Sequence, residues 1–240
     1  MDVLLAMAYG LVFGSFYNVC ISRYLSGESV AWPPSHCQHC QHNLACHDLF
    51  PLLSYILLKG RCRYCGQPIS PQYPCIEAVT ALVYGALFWR FGFSGEFLIY
   101  AMFSGLLIVL SGIDARVMLL PDKFTLPGTA LAIPVSVFLL GHGWSDVLLG
   151  AGMGYGCFWL SAKFMELRGK EALGYGDAKL MALLGALSGF QAVPVIQISA
   201  VISAFLFAIS TRKTNSPFAF GPWLCLGFLM QLLTDVRISV

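Results

Sequence analysis

The sequence Leu110-Ser-Gly-Ile-Asp-Ala-Arg116 places a carboxylate, Asp114, at the end of the apolar segment 97–115. A second carboxylate, Asp177, closes Gly174-Tyr-Gly-Asp177 and begins another apolar segment. An ionisable group at the edge of a bilayer is costly, so each of these residues is a candidate functional group. Two such carboxyl groups predict a pair that shares one proton and activates a water molecule.

The composition is typical of a membrane protein. Of the 240 residues, 58% are hydrophobic and only 11% are charged, whereas about 25% of the residues in a soluble domain are charged. A soluble fold would leave large apolar patches in water. The net charge of +2 provides no polybasic surface of the kind that binds nucleic acid. The lipid bilayer is therefore an expected partner, and nucleic acid is not.

The chain contains about eight apolar segments of about 20 residues, the length that a transmembrane helix needs. The sixth is short, and a short helix beside a functional carboxylate can border a water-filled cavity instead of lipid. The predicted fold class is an all-α polytopic membrane protein. The segments are 2–22, 76–93, 97–115, 124–141, 146–165, 177–190, 193–210 and 218–236.

The distribution of Lys and Arg predicts the orientation of these helices, because cytoplasmic loops carry an excess of both residues. With the amino terminus outside, Arg90 and Arg237 fall on the outer side, and the rest of the 14 lysines and arginines fall on the inner side. This orientation puts Asp114 and Asp177 at the cytoplasmic face.

Residues 23–75 form the only large polar segment, and they contain Cys37-Gln-His-Cys40 and Cys62-Arg-Tyr-Cys65. Two Cys-x-x-Cys pairs can surround one tetrahedral zinc ion, and a segment of about 50 residues needs a metal site or a similar cross-link to fold stably. A reducing cytosol also disfavours disulfides. We therefore predict a small cytoplasmic domain, inserted after the first helix, that binds a structural Zn²⁺ through Cys37, Cys40, Cys62 and Cys65.

Two alternatives for this segment remain open. The thiols of the two pairs can be redox-active, or a neighbouring side chain can replace one of the four ligands. The candidates for such a replacement are Cys46, His36, His39, His42 and His47. In either case the predicted organisation is a first transmembrane helix at 1–22, a cysteine-rich domain at 23–75 and a transmembrane domain at 76–240.

Several stretches together resemble the type IV prepilin leader peptidase and N-methyltransferase family, whose members are membrane aspartic proteases of the GxGD type. The stretches span most of the chain and follow the order that the family uses. They are Gly14-Ser-Phe-Tyr-Asn-Val19 with Arg23, the two cysteine pairs with Phe50–Gly66, Pro68–Pro74 and Glu77, Asp114 with Leu119-Leu-Pro-Asp122, Gly174-Tyr-Gly-Asp-Ala-Lys179, and more weakly Phe220-Gly-Pro222.

The resemblance implies an activity and a site. Asp114 and Asp177 correspond to the catalytic aspartates of the family, and Gly174 and Gly176 would let the backbone turn and an extended substrate approach. The family cuts leader peptides from prepilins or type II secretion pseudopilins at the cytoplasmic face of the bacterial inner membrane. Many members then methylate the new amino terminus with S-adenosylmethionine. No motif locates the residues that bind this methyl donor.

The physical chemistry of the pair agrees with this role. Peptide hydrolysis needs a base for the water and an acid for the leaving amine, and two close carboxyl groups can supply both. A helix amino terminus favours negative charge on Asp177, which leaves the proton with Asp114 in the predicted pair.

Four neighbouring features have structural interpretations. Asp122 is predicted to cap a helix or belong to a loop, Lys179 to pair with a charge or reach the membrane interface, and Glu77 to open the second long helix. The glycines of Gly150–Gly156 predict close helix packing, because a phosphate loop would end in Lys followed by Ser or Thr.

Two other functions compete with peptide hydrolysis. A membrane thiol–disulfide exchanger would use the cysteine pairs and would not need Asp177. An ion-coupled transporter would use membrane carboxylates and would show inverted repeats, and we find no convincing repeat in the sequence.

Overall fold

The computed structural model describes residues 2–168, 174–211 and 219–235. Lys170, Arg212, Lys213 and Arg237, which enter the prediction of orientation, lie outside these ranges, as do both end residues of the predicted segment 218–236. In the described ranges the chain forms α-helices, short 3-10 turns and isolated antiparallel bridges, and it forms no β-strand. The prediction of an all-α protein is therefore confirmed for this part of the chain.

Each predicted apolar segment forms a helix. The helices are α1 (Val3–Ser26), the short α2 (Leu53–Leu57), α3 (Gln72–Phe91), α4 (Gly95–Val117), α5 (Asp122–Phe138), α6 (Trp144–Leu167), α7 (Tyr175–Ser188), α8 (Val193–Thr211) and α9 (Gly221–Thr234).

Among the described residues, three helical stretches are long and apolar enough to cross a membrane: Val3–Ser26, Gly95–Val117 and Phe190–Thr211. This supports the prediction of a membrane protein. The larger number of spans, about eight by segment length, stays a prediction.

Two compact units make up the chain, Met1–Gly112 and Ile113–Val240. In the first unit, α1 and α3 pack as an antiparallel pair through small residues. A Cβ added to Gly14 would lie 2.8 Å from Cα of Glu77, and one added to Gly10 would lie 2.7 Å from Cα of Ala81. Such small residues let helix backbones approach closely, as they do in membrane bundles.

The start of α3 differs from the prediction. The sequence placed it near Ile76, but α3 begins at Gln72. A proline is tolerated in the first turn of a helix, where its missing N–H has no partner to lose, so Pro74 does not delay the helix. Glu77 consequently lies beyond the first turn, and the prediction that it opens the helix is wrong.

In the second unit, α7 is the central helix. Its 14 residues would span about 21 Å, short of the roughly 30 Å of a bilayer core. A helix that is apolar on all sides is a buried one, and the α7 side chains after the first turn are largely covered by protein. Fully buried members are Leu180, Met181, Leu183, Leu184, Ala186 and Leu187.

The glycines of α6 explain this burial. A Cβ on Gly154 would lie 2.4 Å from the carbonyl oxygen of Met181, and one on Gly150 would lie 2.4 Å from that of Gly185. The predicted close helix packing is therefore confirmed at both positions. Gly152 and Gly156 have open space around them and do not take part in this contact.

We expect Gly185→Ala to destabilise the protein, because the new Cβ would lie 2.1 Å from the Gly150 carbonyl oxygen. Overpacking of this kind costs about 1–3 kcal/mol, which thermal unfolding in detergent would detect as a lower Tm. Gly156→Ala is the matched control, since it adds the same methyl group to a helix where nothing lies within 4 Å. Equal Tm values for the two variants would contradict this account of α6–α7 packing.

Candidate active site and metal centre

The two predicted carboxylates both belong to the second unit. Asp114 lies in the last turn of α4 and is 5% exposed. Asp177 is half-buried in the first turn of α7, where its N–H donates to the Gly174 carbonyl oxygen at 3.0 Å. Leu120 lies against both Gly176, next to Asp177, and Gly221, whose N–H donates to Asp114. The fold thus brings together two groups that are separated by more than sixty positions in the sequence.

A backbone group that the sequence analysis did not assign to the site contacts Asp114. The N–H of Gly221 donates to Oδ2 of Asp114 at 2.9 Å. Gly221 is the first residue of α9, so its N–H has no partner inside its own helix. The only sequence signal was Phe220-Gly-Pro222, in which a proline near the start of an apolar segment is typical of a helix amino terminus.

Leu120 packs against the starts of both α7 and α9. A Cβ on Gly176 would lie 2.9 Å from Cβ of Leu120, and one on Gly221 would lie 3.5 Å from Cδ2 of Leu120 and 2.7 Å from Oδ2 of Asp114. Glycine is therefore needed at positions 176 and 221, because a side chain at either would push Leu120 away from the start of α7 or of α9. Gly174 is exposed and has an ordinary φ of -59°, so its backbone conformation does not itself require glycine.

An ion pair joins the starts of α5 and α7. Nζ of Lys179 lies 2.6 Å from Oδ1 of Asp122, which is the first residue of α5. The predicted charge-pairing role of Lys179 is confirmed. The prediction that Asp122 caps a helix or lies in a loop is wrong, because Pro121 holds the cap position and Asp122 is the first helical residue. The Tyr175 hydroxyl donates to Oε1 of Glu166 at 2.6 Å, which ties the start of α7 to the end of α6.

In the first unit, the four cysteines of the two pairs come together. Their Sγ atoms all lie within 4.8 Å of one another, and Cys37 and Cys65 are 3.9 Å apart at sulfur. Tetrahedral zinc with Zn–S bonds of about 2.3 Å holds its sulfurs about 3.8 Å apart. This cluster is therefore of a size that suits a metal ion, and within the described ranges no other group of such ligands is present.

The two cysteine pairs have the same backbone conformation. Cys37 N–H donates to His42, and Gln41 N–H donates back to Cys37; Cys62 with Gln67 and Gly66 repeats both contacts. Gln41 and Gly66 have the same left-handed φ, 58° and 72°. Equivalent bridges join His36 to Asn43 and Arg61 to Pro68. Each pair is thus a copy of one knuckle.

The thiols of the second knuckle differ in how readily they ionise. Although the Gln67 N–H acts to lower it, burial and the neighbouring sulfurs raise the pKa of Cys65 to about 11, whereas Cys62 is shifted the other way. Backbone N–H groups of Cys65 and Tyr64 point at Sγ of Cys62, and they lower the pKa of that thiol to about 7 against the opposing effect of burial. Metal binding requires the thiolate form. The nearby Cys46 and the four neighbouring histidines do not belong to the cluster of candidate ligands, so the geometry favours the all-cysteine alternative over the mixed one.

Asp48 ties the second knuckle to the segment that follows the first knuckle. Arg63 Nε donates to its Oδ1 at 2.7 Å, Tyr64 O–H to its Oδ2 at 3.0 Å, and Ala45 N–H to the same oxygen at 3.3 Å. Although burial acts to raise the pKa of Asp48, these donors lower it overall. The Tyr64 ring also contacts His42, with centroids 3.7 Å apart, so the second knuckle holds the first.

We expect the double variant Cys37→Ser, Cys40→Ser to lose its bound metal, because a hydroxyl does not replace a thiolate ligand. Elemental analysis of the purified protein would measure the metal per chain. Cys46→Ser is the matched control, because Cys46 is outside the cluster, and it should keep the full metal content. Unchanged metal in the double variant would contradict the assignment.

Two family models of known proteins match successive parts of the chain. The family described as "Bacterial Peptidase A24 N-terminal domain" matches residues 8–91, and the "Type IV leader peptidase family" matches residues 101–209. No solved structure matches.

Curated relatives match the chain over nearly all of its length. A "Prepilin leader peptidase/N-methyltransferase" of Pectobacterium carotovorum subsp. carotovorum is 36% identical, with 94% of this chain and 91% of the relative covered. Proteins of the same name from Stutzerimonas stutzeri and Klebsiella pneumoniae are 34% and 42% identical. They cover 99% and 77% of this chain, and 92% and 84% of their own lengths.

Proposed function

The chain belongs to the type IV leader peptidase family, and we propose that it cleaves the leader peptides of type IV prepilins or type II secretion pseudopilins. The observation that carries the proposal is that Leu120 lies against Gly176, which precedes Asp177, and against Gly221, whose N–H donates to Asp114. The relatives are named as both prepilin leader peptidases and N-methyltransferases, so N-methylation of the new amino terminus is part of the proposal. Neither a thiol–disulfide exchanger nor a transporter is supported by these relatives.

In the proposed reaction, one carboxylate deprotonates a water molecule that attacks the scissile carbonyl, and the other carboxyl group protonates the leaving amine. The Gly221 N–H stabilises negative charge on Asp114. A hydrogen bond to a charged group is worth about 1.5–3 kcal/mol, more than the 0.3–1 kcal/mol that a helix terminus typically supplies to Asp177. We therefore assign the base to Asp114 and the proton to Asp177, the reverse of the order expected from the sequence.

The proposed site geometry extends beyond the two acids. Gly176 brings the first turn of α7 against Leu120, and the Asp122–Lys179 ion pair holds the same turn to α5. Both contacts restrict where Asp177 can lie. Gly174, which is exposed beside Asp177, would leave room for an extended peptide to approach the carboxyl group.

We further propose the location and organisation of the enzyme. A bacterial inner membrane holds about eight spanning helices of about 20 residues, and the active site and the cysteine-rich segment face the cytoplasm, as the excess of Lys and Arg predicts. The proposed parts are the first transmembrane helix at 1–22, the cysteine-rich domain at 23–75 and the peptidase domain at 76–240.

The proposed cofactors differ in how they are supported. Zn²⁺ suits the four-cysteine cluster because Cys₄ sites of this spacing are structural zinc sites, and it would stabilise the cysteine-rich segment. S-adenosylmethionine would supply the methyl group in the proposed second reaction. Its support is the name of the relatives.

Asp114→Asn and Asp177→Asn should each lower leader cleavage by at least about a hundredfold, since a general acid or base contributes about 10²–10⁴-fold. The assay is conversion of a prepilin-like peptide by enzyme in detergent or bilayer. Asp122→Asn is the comparison variant. It removes the charge that pairs with Lys179 but removes no proposed catalytic group, so it should retain measurable cleavage. Near-native cleavage by either of the first two variants would refute the pair.

Omission of S-adenosylmethionine should leave leader cleavage intact and abolish methylation, because the proposed hydrolysis uses only the two carboxyl groups. Mass spectrometry of the mature amino terminus would measure both products in one reaction. A pre-cleaved peptide given with the donor is the control, and it should be methylated by the Asp177→Asn variant as well. Cleavage that depends on the donor would contradict two separable activities.

A further inference from the structure

An exposed apolar face lies on the short helix α2 of the first unit. Four side chains form this α2 apolar face, at 55% to 71% exposure: Phe50, Leu53, Ile56 and Leu57. Leu53, Ile56 and Leu57 follow the i, i+3, i+4 spacing of one helix face. Phe50 precedes the helix in extended backbone, and Ser54 N–H donates to its carbonyl oxygen at 3.0 Å, which holds its backbone against the first turn.

The start of α2 is held beside membrane helices and not beyond their ends. Leu52 N–H donates to Oε2 of Glu77 at 2.8 Å, and Glu77 lies five residues into α3, about 7 Å along its axis. Glu77 is itself packed against Gly14, in the interior of the candidate span Val3–Ser26. These contacts hold the start of α2 beside α1 and α3, and not beyond their ends.

A second contact supports the same placement. Nδ2 of the buried Asn18 donates to the carbonyl oxygen of Tyr73, in the first turn of α3. The start of α3, which follows the cysteine-rich region, is therefore tied to α1 several residues before α1 ends at Ser26.

The charge next to the apolar face identifies the surface that it fits. Lys59 and Arg61 are exposed and follow α2 directly. An apolar face bordered by cations is the pattern of an element that lies in the membrane interface, with its apolar side about 5–10 Å into the headgroup and acyl boundary. Anionic lipids attract such cations.

We propose that the α2 apolar face inserts into an anionic lipid leaflet, with Lys59 and Arg61 on the lipid phosphates. The four-cysteine knuckles then lie against the bilayer surface and do not move independently of it. The proposal goes beyond the proposed function and rests only on the membrane placement of α1 and α3.

Photolabelling of the native full-length chain tests the proposal. The protein is reconstituted in phosphatidylglycerol-containing liposomes with a trace of lipid that carries a diazirine near the top of its acyl chain, and lipid adducts are mapped by mass spectrometry. We expect adducts on 50–57 and, as a positive reference, on the exposed Leu4, Val12 and Phe16 of α1. Gln67 on the second knuckle is exposed and serves as the aqueous reference.

Labelling of α1 without labelling of 50–57 would overturn the proposal. Absence of adducts on both would overturn the membrane placement and the proposal with it. Labelling of 50–57 that disappears as the protein-to-lipid ratio rises, while α1 stays labelled, would show that a second copy covers the face, which also overturns it. Leader cleavage measured on the same liposomes reports the proposed function separately.

Two matched comparisons sharpen the result. Leu57→Glu puts a charge on the apolar face and should reduce adducts on the rest of 50–57 several-fold, whereas Gln67→Glu makes the same charge change on the knuckle and should not. Liposomes of phosphatidylcholine alone should give at least about twofold fewer adducts there, since Lys59 and Arg61 lose their anionic partners. Equal labelling across either comparison would overturn the part of the proposal that it tests.

Discussion

The hydrogen bond from the Gly221 N–H to Asp114 is the contact on which the candidate active site depends. A buried carboxylate without a donor is costly, and so is a helix amino terminus without an acceptor. Their meeting satisfies both groups in one contact. It also requires glycine at position 221, because a Cβ there would lie 2.7 Å from the carboxylate oxygen. Leu120 fills the remaining space against Gly176, and this contact fixes the position of the start of α7.

In the first unit, buried polar side chains of α1 and α3 are likewise satisfied by backbone groups from another part of the chain. Arg23, which is 4% exposed, donates to the carbonyl oxygens of Ser29, Pro33 and Pro34, and Glu77 accepts from Leu52. Each contact pairs a buried polar group with backbone of the cysteine-rich segment, which has few buried apolar residues of its own. The helices therefore supply the support that a segment of about 50 residues cannot generate from its own core.

The sequence predicted the helices well and their ends less well. Apolar segments were visible because a bilayer-length run needs no tertiary information, but α3 begins four residues before Ile76, in polar sequence that carries no periodic signal. Likewise α1 continues to Ser26, past Arg23, whose buried guanidinium donates to carbonyl oxygens of the segment that follows.

The sequence by itself determined the membrane class, the two cysteine pairs and the two acids, since each is a matter of composition or local spacing. Only the tertiary structure decided what these residues meet. Gly221 lies 107 positions from Asp114, and Lys179 lies 57 from Asp122. No local pattern encodes such partners, because they depend on which helices pack together and at what distance. The glycines of α6 and α7 permit that packing, and the contacts it creates distinguish a candidate catalytic acid from a helix cap.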